Sequence, residues 1–302
     1  MEFGFMRLGL LLNESNNTDP LAGLRDQIAR AADDGFASAW LSHIFGLDAL
    51  TALAVAGSQV PGIELGTAVV PTYPRHPAAL AQQAMTVNAA VGGRLTLGIG
   101  LSHQIVIENM FGYSFERPAR HMKEYLNILM PATRGEQVDY DGETLKAHVR
   151  LSTPGAGPQV LVAALGPRML KLAGTVADGT VLWMTGPRTV ADHIAPTIAA
   201  AASEAGRPAP RVVCGLPVCV TDDVEAAKAR ANEIFAVYGQ LPSYRAMLDR
   251  EGAEGPGDVA IVGDEESVGA QIDALAKAGV TEFAASTFSN RERTLAFLKT
   301  LL

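Results

Sequence analysis

The chain has 302 residues, 48% of them hydrophobic, and a formal net charge of −8. That length accommodates two ordinary domains or one large barrel with a substantial core, and the acidic balance without a Lys/Arg-rich face argues against a nucleic-acid footprint. No apolar run approaches the roughly 20 residues that cross a bilayer, and the start lacks the basic head, long apolar body and small-residue cleavage site of a secretory leader; a cytoplasmic location with no membrane partner is expected.

Short apolar β-type runs alternate with longer helical patterns, the signature of a parallel α/β fold. Strands are predicted at residues 6–12, 37–42, 63–69, 95–99, 159–163, 180–183, 212–220 and 281–286. A helix over 20–34 follows the first, with Leu21, Leu24, Ile28 and Ala31 at helical spacing, and another over 77–90 follows the third, with Pro77 at its start. A helix over 117–130 places Arg120 and Glu124 as an i,i+4 surface pair and gives His121 a structural role. Eight strand–helix units in about 250–300 residues is the count for a (β/α)8 TIM barrel, here a single domain over residues 1–302. Two stretches interrupt the alternation. Residues 135–151 contain an Asp141-Gly142 turn between alternating segments, which predicts a small hairpin. Residues 239–257, rich in glycine, proline and charge after a helix beginning near Asp223, read as a loop or lid. Cys214 and Cys219 lie five apart on one predicted strand and point to opposite faces, so they cannot pair. No Cys/His spacing resembles a zinc site, and no metal is expected.

In such a barrel the functional groups belong at the C-terminal ends of the strands. That rule selects Asn13 and Glu14, Ser42 and His43, residues 68–71, Leu101, Ser102 and His103, then Ala163 to Arg168, and Trp183 to Gly186. Gly98-Ile99-Gly100 after a strand first suggests dinucleotide binding, but that fingerprint wants a third glycine where His103 stands. The small-residue loop before Arg168 feeds a helix N-terminus whose unpaired N–H groups suit a phosphate; Gly166-Pro167 is otherwise simply a turn. His43 is either a proton carrier near neutral pH or a satisfied structural histidine. Residues 66–77, with Pro71, Pro74 and Pro77 beyond a strand, either hold strained backbone against a ligand or form a stiff connection. There is no Gly-x-Ser-x-Gly elbow, P-loop, His-Glu-x-x-His or obvious catalytic cysteine.

Together, six segments in order resemble the luciferase-like monooxygenase superfamily, in its branch of deazaflavin-dependent oxidoreductases that use coenzyme F420. They are Ser42-His43 with Gly46-Leu47-Asp48-Ala49-Leu50-Thr51; Leu65-Gly66-Thr67-Ala68-Val69 with His76-Pro77-Ala78; Gly93-Arg94-Leu95-Thr96-Leu97-Gly98-Ile99-Gly100; Arg117-Pro118-Ala119-Arg120 with Glu124-Tyr125-Leu126; Ala163-Ala164-Leu165-Gly166-Pro167-Arg168; and Ala177-Asp178-Gly179. The resemblance implies a deazaflavin in the pocket at the strand C-termini, backed by a bulge that often contains a non-proline cis peptide, here Ala68–Val69. It implies a phosphate on the loop Ala163, Ala164, Leu165, Gly166, Pro167 and Arg168, ring contacts through Leu101, Ser102 and His103, and Ser42 and Trp183 beside the cofactor. His43 is the implied proton handler, and the cofactor carries the hydride step while the protein supplies orientation and a dry pocket. Relatives that oxidise sugar phosphates or alcohols have an acid beside this histidine and another after the fourth strand, where this chain has Ser42 and Ser102-His103. Arg168, Lys171 and Arg188 would offset the overall negative charge for a cofactor with an acidic tail. The expectation is a homodimeric enzyme acting on a small organic substrate. The competing readings are an FMN-dependent monooxygenase fed reduced flavin by a partner reductase, and a noncatalytic cofactor-binding protein.

Overall fold

The computed structural model describes residues 6–12 and 18–302. Asn13 and Glu14, selected above as strand-exit residues, lie outside the described residues. The strands are β1 (Arg7–Leu12), β2 (Ser38–Leu41), β3 (Glu64–Thr67), β4 (Val70–Pro71), β5 (Leu95–Gly100), β6 (Val138–Asp141), β7 (Lys146–Val149), β8 (Gln159–Val162), β9 (Gly179–Trp183), β10 (Arg211–Val220), β11 (Ile261–Gly263) and β12 (Glu282–Thr287). The main sheet runs β1-β2-β3-β5-β8-β9 and returns through β10 and β12 to β1, all pairs parallel. Eight strands therefore close a barrel, and helices cover its outside, as expected of a (β/α)8 chain. The third predicted strand, 63–69, is interrupted: β3 ends at Thr67, the Ala68–Val69 peptide is cis, and the chain resumes pairing with β5 as β4. The short β11, which the sequence patterning did not reveal, pairs with the C-terminal end of β10.

The interior is layered. Trp40, Leu161, Val181, Val213 and Ala284 form an apolar cluster with Leu11, Ala68 and Val69 packed against it. Trp40 fits because Gly66 faces it on the neighbouring strand: a Cβ at Gly66 would lie 2.2 Å from the indole. At the N-terminal foot the layer is ionic. Glu282, wholly buried, accepts from Ser38 Oγ at 2.5 Å, Trp40 Nε1 at 2.8 Å and Arg211 Nη2 at 2.8 Å. Arg7 pairs with both Glu282 and Glu64, and Arg211 also reaches Glu64 at 2.9 Å. Burying these carboxylates is tolerable because each meets cationic and hydrogen-bonding partners.

The outer helices start as their sequences dictate. Asp19 caps Pro20–Asp33 by accepting from Ala22 N at 3.0 Å, and its Leu24 and Ile28 are buried, each side chain stabilising by roughly 2 kcal/mol. The helix predicted over 117–130 runs Pro118–Thr133. The hairpin forms as β6–β7, but Glu124 is not an exposed partner of Arg120: it is 5% exposed and accepts from Glu143 N, Thr144 N, Thr144 Oγ1 and Leu145 N across the turn. A buried carboxylate that four donors reach is the hairpin's anchor, and Arg120 pairs with Glu143 instead. The 239–257 segment, expected as a loop, is largely helical, with Pro242–Glu251 followed by Pro256–Val259. Pro242 at the first turn and Gly252 at φ +78° as the C-cap are ordinary start and stop signals; Met247 and Leu248, buried against the barrel, supply the tertiary reason for the helix. Cys214 and Cys219 are both free and buried, in different apolar clusters.

Candidate active site

The C-terminal ends of the strands bring several predicted residues together. Val69, Gly100 and Ala163 meet at the exits of three strands: a Cβ on Gly100 would lie 2.6 Å from Val69 Cγ2 and 3.2 Å from Ala163 Cβ. Ala163 N donates to Ile99 O at 2.8 Å and Thr72 N to Gly100 O at 2.9 Å. Ala68 and Val69 thus form a floor over the apolar layer around Trp40, and the absence of a side chain at Gly100 lets the side chains of Val69 and Ala163 close in there. Ser102 and Met184, after β5 and β9, are non-glycine residues at φ +60° and +53°, and left-handed backbone of this kind is concentrated at binding sites.

His43 sits on the rim after β2, its side chain 12% exposed. Its Nδ1 lies 3.1 Å from Ala49 N and its Nε2 lies 3.4 Å from Arg75 Nη2. Both neighbours are donors and a neutral imidazole has one lone pair, so only one of these contacts is a hydrogen bond in a given tautomer. Asp48 completes the group. Its Oδ1 caps the helix starting at Ala49 by accepting from Thr51 N, and its Oδ2 accepts from Arg75 Nη2 at 2.6 Å. Burial and then the Arg75 charge push the His43 pKa below its ordinary value, against the opposing pull of Asp48. The ring is neutral at pH 7.

Next along the rim, Tyr73 stacks on His121 with centroids 4.0 Å apart and lies 5.4 Å from Phe115. His121 Nε2 lies 3.0 Å from Thr72 Oγ1, and burial takes its pKa down to about 4, so the ring is neutral at pH 7. Across the mouth the 242–251 helix contributes what the sequence reading missed. His103 contacts Tyr244 at 5.6 Å, Tyr244 meets Tyr238 edge-on at 5.1 Å, and Tyr238 and Phe235 both meet Trp183 edge-on. His103 and Trp183 are therefore joined through one aromatic wall. Glu251 fixes this helix to the barrel by accepting from Arg188 N at 3.1 Å and Thr189 N at 2.7 Å.

Two observations bear on whether a phosphate-bearing ring cofactor fits. The N–H groups of Arg168 and Met169, at the start of the Pro167–Val176 helix, have no acceptor among the described residues, and nothing lies within 4 Å of a Cβ placed on Gly166. Tyr73 Oη and Trp183 Nε1 are buried without a hydrogen-bond partner among the described residues; the Tyr238 hydroxyl approaches Trp183 without meeting hydrogen-bond geometry. Unpaired buried donors cost about 1–3 kcal/mol each, a cost that a polar ring system held there relieves. The set fits such a group. Of the remaining predicted residues, Ala164 puts its methyl in the core, leaving only its backbone toward the loop, and Leu165 O accepts from or faces His193 Nε2 at 2.8 Å. Ser42 is half-buried beside His43, and Leu101 packs against the core.

A family model described as luciferase-like monooxygenase matches residues 1–282. The chain is 30% identical over 275 residues to 5,10-methylenetetrahydromethanopterin reductase from Methanolobus tindarius, covering 90% of this chain and 83% of that protein. Its fold is similar to the structure of coenzyme F420 dependent tetrahydromethanopterin reductase from Methanopyrus kandleri, with a TM-score of 0.83, 22% identity and 98% of both chains covered. It is also similar to the oxygenating constituent of 3,6-diketocamphane monooxygenase from Pseudomonas putida in complex with FMN, with a TM-score of 0.76, 18% identity and 97% and 96% covered.

Proposed function

This chain belongs to the luciferase-like monooxygenase family, and from that premise we propose that it is an oxidoreductase that uses the deazaflavin coenzyme F420 to exchange hydride with a small organic substrate. The observation that carries this reading is the continuity of one face: a phosphate-ready helix start at Arg168, a floor at Ala68 and Val69, and a neutral histidine on the rim. The 30% identity to a methylenetetrahydromethanopterin reductase over 90% of the chain, with the similar fold of a coenzyme F420 dependent reductase, supports the deazaflavin over FMN.

When bound, the deazaflavin supplies the two-electron hydride chemistry. The protein's share is positioning and proton handling. Arg168 and the adjacent N–H groups would hold the phosphate, with Ala163 and the backbone of Ala164, Leu165, Gly166 and Pro167 shaping that loop. Ala68 and Val69 would back the ring, and Leu101, Ser102 and His103 with Trp183 would border it, the aromatic wall excluding water. His43, beside Ser42, carries a single proton at neutral pH, on Nε2 whenever the Ala49 amide holds Nδ1. We assign it the proton transfer that accompanies hydride movement.

The test is to titrate the purified protein with F420 and with FMN and follow fluorescence, then to mix the reduced F420 complex with enones, imines and quinones in single turnovers. F420 binding, a substrate that oxidises it, and a 10²–10⁴-fold slower step in His43→Ala are expected. Tight FMN binding without F420 binding refutes the cofactor assignment in favour of an FMN-dependent monooxygenase. F420 binding with no oxidation by any substrate class favours a noncatalytic cofactor-binding protein, and unchanged turnover in His43→Ala removes the role given to that residue.

A further inference from the structure

Large apolar side chains are exposed mainly around the mouth of the barrel. Of the ten exposed among the described residues, six stand on two strand-exit loops: Ile44 and Phe45 directly after His43, and Ile105, Met110, Phe111 and Tyr113 shortly after His103. The two loops are linked along the rim. Arg75 reaches back to His43 at 3.4 Å, and Tyr73, two residues earlier, packs on Phe115 at 5.4 Å. Within the Ile105–Met110 turn only Ile107 is buried, so one side chain pins the segment while Ile105 and Met110 remain in water. Apolar surface concentrated beside a cleft marks a binding site. The charge pattern says what binds. Residues 44–47 and 101–115 contain no lysine or arginine, in a chain that has 24. Their one carboxylate, Glu108, is engaged within its own loop, accepting from Gln104 Nε2 at 2.9 Å and Phe115 N at 3.3 Å. Arg75 is already matched by Asp48 at 2.6 Å. Neither loop therefore offers a cation to a phosphate or a carboxylate.

We infer that these two loops form an apolar collar that selects the substrate: an uncharged, predominantly hydrocarbon molecule whose reducible end reaches His43 while its body lies across Phe45 and Phe111. The inference rests on the oxidoreductase reading above and names the substrate class of that site. It sets this chain apart from enzymes that take phosphorylated or carboxylated substrates, which need a cation where the collar has none. Moving a charged group from water onto such a surface without a partner is costly, whereas moving a hydrocarbon there is favourable. Affinity therefore grows with the length of the apolar body and is insensitive to salt.

Dissociation constants are measured by calorimetry for alkan-2-ones of six, eight and ten carbons, for the alkanoates of equal length and for glucose-6-phosphate, with and without F420, at low and high salt. The wild type is expected to bind each longer ketone more tightly, by about two- to fourfold per added CH2, with little change on adding salt. Each alkanoate is expected to bind at least about tenfold more weakly than the ketone of its length. A Phe45→Ser/Phe111→Ser double variant, first checked for an unchanged thermal midpoint, loses most of the length dependence, and Phe45→Lys shifts the preference toward the alkanoates. Failure of the wild type to bind any ketone, binding that ignores length, or tighter binding of an alkanoate or glucose-6-phosphate overturns the collar. So does a double variant that keeps the length dependence but sediments as a monomer where the wild type is a dimer, because the patch is then a surface between two copies of the chain. Length-dependent ketone binding in a protein that does not bind F420 supports the collar and refutes the cofactor reading.

Discussion

Replacing Arg75 by methionine should invert the electrostatic environment of His43. In the native chain a guanidinium nitrogen sits 3.4 Å from Nε2 and a carboxylate oxygen 3.7 Å from Nδ1, and these two charges also hold each other at 2.6 Å. At an effective dielectric of about 20, a unit charge at 3.4 Å is worth roughly 5 kcal/mol, an upper bound because 23% of the Arg75 side chain meets solvent. The range observed for a neighbouring charge at such a distance is about 1–3 pH units. Arg75→Met removes the repulsion and leaves Asp48 unpaired beside the ring, so both changes raise the His43 pKa. The stability linkage changes sign with it. In the native chain the folded pKa is below the unfolded value, so stability is lost as pH falls from about 6.5 through the folded pKa. If the variant's folded pKa exceeds 6.5, His43 adds stability below that pH, which is lost as pH rises through the folded value. The assay is a proton NMR titration of the His43 ring, assigned by its disappearance in His43→Gln, with an expected rise of at least about one unit. An unchanged or lower pKa in Arg75→Met would refute the view that Arg75 keeps this ring neutral.

Glu282→Ala should destabilise by about 3–5 kcal/mol, because it removes the buried carboxylate that Arg7, Arg211, Ser38 and Trp40 Nε1 share in the barrel foot and leaves two guanidinium groups around Glu64 alone; for a chain of 302 residues this is a fall in melting temperature of about 5–8 °C, and a calorimetric shift below 1 °C would contradict it. His121, neutral when folded, should withdraw up to about 3 kcal/mol of stability as the pH falls from 6.5 to about 4. Denaturation midpoints across that window should therefore fall less steeply in His121→Gln than in the native chain, and identical slopes would argue against it.

What could be read in the sequence was whatever is local. The strand–helix alternation, Pro77 opening its helix, and the Asp141-Gly142 turn are each encoded within a few residues. Candidate ligand-facing positions followed from the barrel, since strand exits are identified once strands are. Interactions that depend on residues far apart were not legible. The spacing of Arg120 and Glu124 satisfies the i,i+4 rule, but the hairpin turn supplies Glu124 with better donors and buries it. The pairing of His43 with Arg75, 32 residues on, has no local signature. The helix Pro242–Glu251 was obscured by composition: Arg245, Asp249, Arg250 and Glu251 give it a polar surface, while the packing of Met247, Leu248 and Tyr244 against the barrel becomes evident only in three dimensions. Its proline start and glycine stop were the overlooked signals.

The ionic foot of the barrel also bears on the order in which the chain can finish folding during synthesis. Arg7 emerges first, Glu64 next and Arg211 much later, while Glu282 comes 275 positions after Arg7, roughly 15–55 s of translation. Until then the growing chain holds two guanidinium groups around one carboxylate, a net positive socket between the edges of β1 and β10. β12 carries the missing negative charge on its first residue and inserts between those two edges. The last strand thus arrives with its register marked by charge, and a nascent chain ending before it leaves the socket unfilled and the sheet open at both edges.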